Sequence, residues 1–247
     1  MNYIKIYGER NTNTNYLSKL IELNLHAIEV SGVSPKYIRL LQKILPGEDY
    51  LIDYYFKKNI KKNLGWKHMN AENIDELKKY YYDDKNLSII TLTKNPYSWL
   101  LSLYKKPYHN KNVRNLSFID FLKTPWKTVN RDNLSTKVNN PIELWNLKNR
   151  SYTNLKNVLQ INTEMLFEDP KNIINKISAN YNIKKKDSFF KDYNKSTKDK
   201  SKDSKFYKNY YLSEKWKELL DKEAIEIINK SLDEKLMIFF NYEFISK

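Results

Sequence analysis

The sequence predicts an α/β fold, a single domain with a mostly parallel central sheet flanked by helices. Three observations lead there. Short strand-like runs alternate with segments of helical spacing along most of the chain. The run Leu87–Thr93 (LSIITLT) is almost continuously apolar, the pattern of a strand buried on both faces of a parallel sheet. No linker or composition shift divides the chain, so one domain is expected over residues 1–247, a length that sustains a core without staples.

The elements follow in order. Tyr3–Tyr7 (YIKIY) is a β-rich alternating run, GERNTNTN a polar loop, and YLSKLIELNL a helix with Leu17, Leu20 and Ile21 at helical spacing. His26–Val30 reads as a second, buried strand. SPKYIRLLQKIL reads as a helix or helical turn with Ser34 as N-cap and Pro35 at its first position. Asn63–His68 (NLGWKH) reads as another short strand and NIDELKKYYY as the next helix. After Leu87–Thr93, Asn95 caps and Pro96 opens a helix that carries Trp99, Leu100 and Leu103 on one face. Asn139–Leu155 is a helix, Asn157–Asn162 a strand, and DPKNIINKISANY a helix with Pro170 in its first turn. Residues 184–205 hold nine lysines against four aspartates and read as a mobile loop. The tail returns to helix and ends in the apolar strip LMIFFNYEF. No internal repeat is visible.

Composition narrows the chemistry. The absence of cysteine excludes disulfides, thiolate metal sites and cysteine nucleophiles, and is compatible with a reducing compartment. MNYIKIYGER has no signal-peptide core, and no stretch approaches the ~20 apolar residues of a membrane span, so a cytoplasmic protein is expected. The net charge of +15 allows a polyanionic partner such as nucleic acid or an anionic lipid surface. It also fits a base-composition bias, since Lys, Asn, Ile and Tyr abound and only five residues are arginine. The lysines are spread over the whole chain, which favours the bias and argues against a nucleic-acid partner, while still suiting an anionic nucleotide in a cleft.

A strand, a tight polar loop and a helix make an anion site, because the free N–H groups and positive dipole end of the first helical turn face the loop. Here Gly8 would permit an unusual backbone angle, Arg10 could offer a bidentate fork, and Thr12 and Thr14 could add hydroxyl donors. An ordinary polar turn is the alternative from the loop alone. The pattern G-x-x-x-x-G-K-[ST] is absent, with Asn13 at its second glycine and Asn15 at its final position. That disfavours Mg-assisted ATP hydrolysis and a nucleotide kinase, and no metal is expected. Lys94 stands at the carboxyl end of a strand, where α/β sheets bind ligands. An amphipathic core helix accounts for Trp99 and Leu103 but not for Lys94-Asn95-Pro96.

GERNTNTNYL resembles the 5'-phosphosulfate loop of bacterial-type sulfotransferases that use PAPS (3'-phosphoadenosine-5'-phosphosulfate). Their pattern GxRxTGTxYL is met by Gly8, Arg10, Thr12, Thr14, Tyr16 and Leu17. Asn13 replaces a glycine, and asparagine is among the few residues that tolerate positive φ. KNPYSWLLSLY resembles the family's R-N-P-x5-S-x-Y signature at Asn95, Pro96, Ser102 and Tyr104, with Lys94 giving a point charge in place of a fork. The likeness is densest over 3–20, 63–69 and 87–109; Glu164, Leu166, Asp169 and Pro170 echo a further E-x-L-x-x-D-P segment of structural role.

The resemblance implies a P-loop NTPase-like sulfotransferase fold and metal-independent sulfuryl transfer from PAPS to a hydroxyl or amine, leaving PAP. The acceptor would be a glycan or small molecule. Gly8, Arg10, Asn11, Thr12, Asn13, Thr14 and Asn15 would form the 5' loop, and Lys94 and Ser102 would grip the 3'-phosphate. His68 would be the base and Lys67 the leaving-group stabiliser, where the family commonly has K-x-H. Consecutive strand residues face opposite sides, so both reach one site only if the strand ends or bends at Lys67. His109 and Glu9 compete for the role of base, and His26 is expected to be structural. The late loop STKDKSKDSKFYKNYY offers Lys205 or Lys208 to the 3'-phosphate and Phe206 or Tyr207 to adenine, without the family's glycine. A second reading is a protein of this fold that has lost catalysis and binds nucleic acid or another polyanion.

Overall fold

Four strands and the helices around them account for most of the chain. The computed structural model describes residues 1–45, 49–134, 137–194 and 203–246. The strands are β1 (Asn2–Gly8), β2 (Ala27–Glu29), β3 (Leu87–Thr93) and β4 (Val158–Asn162). The helices are α1 (Thr14–Asn24), α2 (Lys36–Ile44), α3 (Tyr50–Asn63), α4 (Ile74–Lys78), α5 (Pro96–Lys105) and α6 (Phe118–Lys123). They continue as α7 (Pro141–Thr153), α8 (Thr163–Glu168), α9 (Pro170–Asn180), α10 (Ser204–Leu212), α11 (Lys222–Ser231) and α12 (Glu234–Phe239).

Every strand pairing is parallel, in the order β2-β1-β3-β4. The chain leaves β1 for β2 on one side and returns to β3 on the other. The carboxyl ends of β1 and β3 therefore flank the topological switch point, where open α/β sheets form their ligand crevice. The register sets Gly8 opposite Leu92, so the two loops begin side by side.

The period of two divides the sheet cleanly. Ile4, Ile6, Ile90, Leu92 and Ile161 pack against Leu17, Leu20 and Ile21 of α1 and Ile173, Ile174 and Ile177 of α9. On the other face Tyr7, Leu87 and Ile89 meet Phe56 of α3, Ile74 of α4 and Tyr152 of α7. A third cluster joins Trp99 and Leu103 of α5 to Phe121, Trp145, Ile225 and Ile228 from α6, α7 and α11. The structure is thus one α/β domain with helices on both faces of a parallel sheet, as the alternation of strand-like and helical segments predicts.

Three expectations change. β2 is a short edge strand and only half-buried, and His26 before it is exposed. Residues 184–194 are not loose: the amides of His26, Lys186 and Lys191 bond Lys184, Asn24 and Asn24 Oδ1, at 2.9, 2.8 and 2.8 Å. Lys205 opens no loop but belongs to α10, and residues 195–202 of the expected loop lie outside the described residues.

A further change matters most for the site. Asn63–His68 is not a strand. α3 runs to Asn63, Leu64 and Gly65 follow in the left-handed region at φ 55° and 74°, and Trp66–Met69 closes a turn. A side chain on Gly65 would collide with Met69 Sδ at 2.2 Å. Two buried side chains of β1 hold this helix end. Lys5 Nζ donates to the Asn63 and Gly65 carbonyls at 2.6 and 2.7 Å, and the Tyr7 hydroxyl donates to Leu64 at 2.5 Å. Cations suit the terminal carbonyls of a helix, and here the strand supplies one from below.

Burial pushes the fully buried Lys5 amine down to about 7, with the Lys67 charge adding to the effect and Glu29 opposing it. An unfolded lysine titrates near 10.4. Between the two values the unfolded chain binds the extra proton, so Lys5 makes stability rise with pH, by at most about 1.4 kcal/mol per pH unit. Urea denaturation from pH 7 to 9 should give a steeper rise for the wild type than for Lys5→Met. Equal slopes would mean that Lys5 stays charged in the fold.

Candidate functional site

The loop after β1 is built on close approach and on asparagine. A Cβ on Gly8 would lie 2.6 Å from the Leu92 carbonyl oxygen and 2.8 Å from Thr12 Oγ1. Gly8 is therefore required by packing against β3, not by an unusual backbone angle, which corrects the sequence expectation. The left-handed positions are Asn11 and Asn13, at φ 69° and 63°. Asn13 is the N-cap of α1 and its side chain makes no capping bond. The amides of Thr14 and Asn15, at the first helical positions, have no carbonyl within the helix to receive them, the feature that draws anions to helix starts.

Thr12 serves the loop itself. Its hydroxyl donates to the Glu9 carbonyl at 2.6 Å, so that proton is not offered to a ligand. The Thr163 hydroxyl, at the start of α8, lies 2.9 Å from the carbonyls of both Thr12 and Thr93 and ties the loop to the end of β3. Arg10 is also engaged. Its guanidinium lies 4.5 Å from the Trp66 ring and 5.1 Å from the Tyr108 ring. Nη1 is 3.9 Å from Glu9 and from Asp132, and Nη2 is 3.3 Å from His109 Nδ1.

Beneath the loop sits a buried charge cluster. Lys148 of α7 reaches Asp132 Oδ1 at 2.9 Å, Glu9 Oε2 at 3.6 Å and the His68 carbonyl at 2.5 Å. Two cations, Arg10 and Lys148, thus face two carboxylates, Glu9 and Asp132, and all four are buried. Burial raises the Glu9 carboxyl, against the pull of Lys148 and Arg10. Burial opposes ionisation of Asp132 too, but Lys148, Arg10 and the Val129 amide outweigh it and hold that carboxyl below its ordinary value. Glu9 accepts the Arg10 amide at 2.6 Å and faces Lys148, which makes it a brace and not a free base.

Lys67 and His68 lie in the turn, so the alternation of a strand does not separate them. Lys67 Nζ donates to Asn15 Oδ1 at the start of α1, and the Gly8 amide donates to the Lys67 carbonyl at 2.9 Å. His68 Nδ1 bonds the Gly8 carbonyl, which fixes the proton on Nδ1 and leaves Nε2 with its lone pair. No group among the described residues bonds Nε2. Burial, then the Lys67 charge, hold the imidazole well below its usual value, so it is neutral at pH 7. His109 differs: Nδ1 faces Arg10 and Nε2 lies 2.6 Å from the Lys127 carbonyl, so both nitrogens are occupied. Burial and Arg10 lower it as well.

At the second anchor Lys94 and Ser102, eight residues apart in the chain, meet at the end of β3. Lys94 Nζ donates to Ser102 Oγ at 2.8 Å, almost two helical turns into α5, and Ser102 donates in turn to the Ser98 carbonyl at 2.9 Å. Asn95 caps α5 through the Tyr97 amide at 3.1 Å. Lys94 is wholly buried, and burial pushes its amine down to about 7, with Glu164 opposing. Tyr211 of α10 covers it, the hydroxyl at 3.0 Å and the ring centre at 4.2 Å. Glu164 accepts the Asn95 amide at 3.1 Å and the Tyr242 hydroxyl at 2.9 Å, while Asp169 caps α9 through Asn172 at 2.9 Å. Lys208 instead bonds the Glu168 carbonyl at 3.0 Å, and Lys205 and Phe206 are exposed.

The residues that the sequence reading passed over are Lys148, Asp132 and Tyr211. Lys148 had a signal: Leu144, Trp145, Lys148 and Tyr152 share one face of a helix, so the lysine lies on a buried stripe. Asp132 and Tyr211 had none comparable, since each meets its partner only through tertiary packing, 16 and 117 residues away in the chain. No protein-family model and no characterised protein matches the sequence.

Breaking a buried charge cluster by removing one partner costs about 3–5 kcal/mol. Lys148→Met should lower stability by that order in urea denaturation, and adding Asp132→Asn should recover part of it. A loss under about 1 kcal/mol would mean that protonation of Glu9, whose carboxyl is already raised, absorbs the change.

Proposed function

We propose that this chain is a sulfotransferase of P-loop NTPase-like fold that binds PAPS and transfers its sulfuryl group to a hydroxyl or amine of a glycan or small-molecule acceptor. The observation that carries the reading is the Lys94–Ser102 pair at the end of β3, beside the Asn13 helix start at the end of β1. These are two anion-accepting positions on adjacent strands, which suits a nucleotide with phosphates on both its 5' and 3' sides. The groups at hand fit such a donor: the amides of Thr14 and Asn15 and the amines of Lys67 and Lys94 are all donors or cations.

PAPS would supply the sulfuryl group, whose S–O bond to the 5'-phosphate breaks as the acceptor oxygen or nitrogen bonds sulfur. His68 Nε2 takes the acceptor's proton, and Nδ1–H on the Gly8 carbonyl keeps the ring turned for that task. Lys67, held at Asn15, places positive charge beside the amides that face the leaving phosphate. The buried cluster of Glu9, Arg10, Asp132 and Lys148 positions the loop and, through the His68 carbonyl, the base. Tyr211 holds the place that a phosphate oxygen would take on Lys94, so donor binding displaces its hydroxyl. No helix among the described residues is long and apolar enough to cross a membrane.

The enclosure of Lys94 favours one second reading, a polyanion-binding protein that keeps this fold without turnover. Binding to duplex DNA that collapses with salt, without binding to PAP, would select it.

Two predictions test the main reading. PAP should bind about ten- to a hundredfold tighter than ADP, the effect of one charged contact of roughly 1.5–3 kcal/mol. A phosphate on Lys94 raises that amine from its value of about 7, so binding takes up a proton and weakens as pH rises from 7 to 9. Calorimetry in buffers of different ionisation heat should show this uptake, and Lys94→Met should remove it. Equal affinity for PAP and ADP would sink the assignment.

His68→Ala should leave PAP binding intact and lower PAP release over an acceptor panel by about 10²–10⁴-fold. Because the base must be neutral and its value is depressed, wild-type turnover should fall on acidification with an apparent pKa below the 6.5 of a free histidine. Full turnover in His68→Ala, with turnover lost in His109→Ala, would transfer the role of base.

A further inference from the structure

We propose that α2 and the outward side of α3 dock this protein on an anionic lipid bilayer. The inference stands apart from the donor-site reading. No residue of α2 is buried. Tyr37, Leu40, Leu41 and Ile44 follow the spacing i, i+3, i+4, i+7 and form one apolar stripe. That stripe faces outward, with Ile44 80% exposed, Tyr37 60% and Leu40 57%. The half-buried Ile38 and Gln42 form the inner side, where Gln42 Oε1 accepts the Leu51 amide at the start of α3. A contiguous apolar face of this kind on a protein surface marks an interaction site.

The charges around the stripe select the partner. On the same helix Lys36, Arg39 and Lys43 form a second stripe that borders the apolar one. The two aspartates at the start of α3 do not offset them, since Asp49 and Asp53 both bond Arg131 at 2.6 Å. α3 adds Lys57, Lys58, Lys61 and Lys62, all exposed. Tyr50 and Tyr54, stacked and exposed, bring rings that are apolar with a polar tip, the kind that settles at headgroup level. A basic amphipathic helix whose apolar stripe is open to solvent lies in the plane of an anionic membrane surface. A protein partner would also use the apolar stripe, but it gives no reason for basic residues both beside it and along the next helix.

Spanning is not involved: α2 has nine residues, about 13 Å of helix. Binding would be peripheral, with lysines and Arg39 attracted to phosphate headgroups and the stripe entering the interface.

The test is co-sedimentation with vesicles of phosphatidylglycerol mixed into phosphatidylcholine, against vesicles of phosphatidylcholine alone. Wild type should pellet about tenfold more with the anionic vesicles, and this preference should shrink as salt screens the charges. Leu40→Glu/Ile44→Glu should lower binding by about tenfold or more while leaving the melting temperature and PAP affinity unchanged, because neither side chain is buried. Arg39→Glu/Lys43→Glu is the second variant and should lose the preference for anionic lipid. Three results would each overturn the proposal: no preference in the wild type, wild-type binding by both variants, or a wild-type dimer in light scattering that Leu40→Glu/Ile44→Glu makes monomeric while vesicles stay unbound. The last would assign the stripe to a second copy of the chain.

Discussion

Gly8 lies against the Leu92 carbonyl with no room for a side chain, and this contact sets how closely the loops leaving β1 and β3 approach. Much of the site depends on it. The Thr163 hydroxyl meets Thr12 and Thr93 together only because those two carbonyls are brought within its reach. The Gly8 carbonyl fixes the proton of His68, and the Gly8 amide holds the turn that carries Lys67. One residue without a side chain thus orders the helix start, the imidazole and the second anchor's strand. Sheet pairing provides the register, and the missing Cβ lets the register be used at full closeness.

Three buried lysines show how the same cost is met in different ways. Removing an ammonium from water is expensive unless partners replace its hydration. Lys148 has carboxylates, Asp132 at 2.9 Å and Glu9 at 3.6 Å. Among the described residues Lys5 donates to the carbonyls of Asn63 and Gly65, and Lys94 to the hydroxyls of Ser102 and Tyr211. Both of the latter are depressed to about 7. The consequences differ with position. Lys5 closes a helix end deep in the fold, where nothing further reaches it. Lys94 stands at the carboxyl edge of the sheet, and a dianion arriving there would gain more from it than from a lysine already matched by carboxylates.

The sequence disclosed those parts whose partners are near in the chain. β3 was readable because burial on both faces leaves an apolar run, and the start of α5 because Asn95 and Pro96 carry its cap and first position. Lys94 and Ser102 are eight apart across that start, and one helix geometry brings them together. The strand expected at 63–68 failed for a local reason that was also legible. Lys61 and Lys62 followed by Gly65 are helix-ending signals, and the aromatic and apolar residues of NLGWKH hid them. Lys5 and Tyr7 complete the explanation, since two donors from β1 hold the carbonyls of that helix end where it is. Asp132 and Tyr211 were not legible, because their meetings with Lys148 and Lys94 depend on how separate elements pack in three dimensions. Arg10 shows the opposite failing: its place in a phosphate-loop pattern suggested an exposed fork, while the fold surrounds it with Trp66, Tyr108 and two carboxylates.

That last contrast bears on how the two anchors act on each other. Tyr16, on the first turn of α1, stacks on Phe167 of α8 at 5.5 Å, and Phe167 stacks on Tyr211 at 5.5 Å. The cover of Lys94 is therefore packed, ring on ring, against α1, the helix that follows the loop after β1. On the proposed reading, an anion that displaces the Tyr211 hydroxyl must shift that ring, tilt it within the stack, or break the stack. Aromatic pairs of this geometry contribute about 0.5–1.5 kcal/mol each, less than one charged hydrogen bond from a phosphate. A phosphate on Lys94 would thus have enough free energy to move Tyr211. On that reading, Tyr211 covers the buried Lys94 amine until a dianion replaces its hydroxyl.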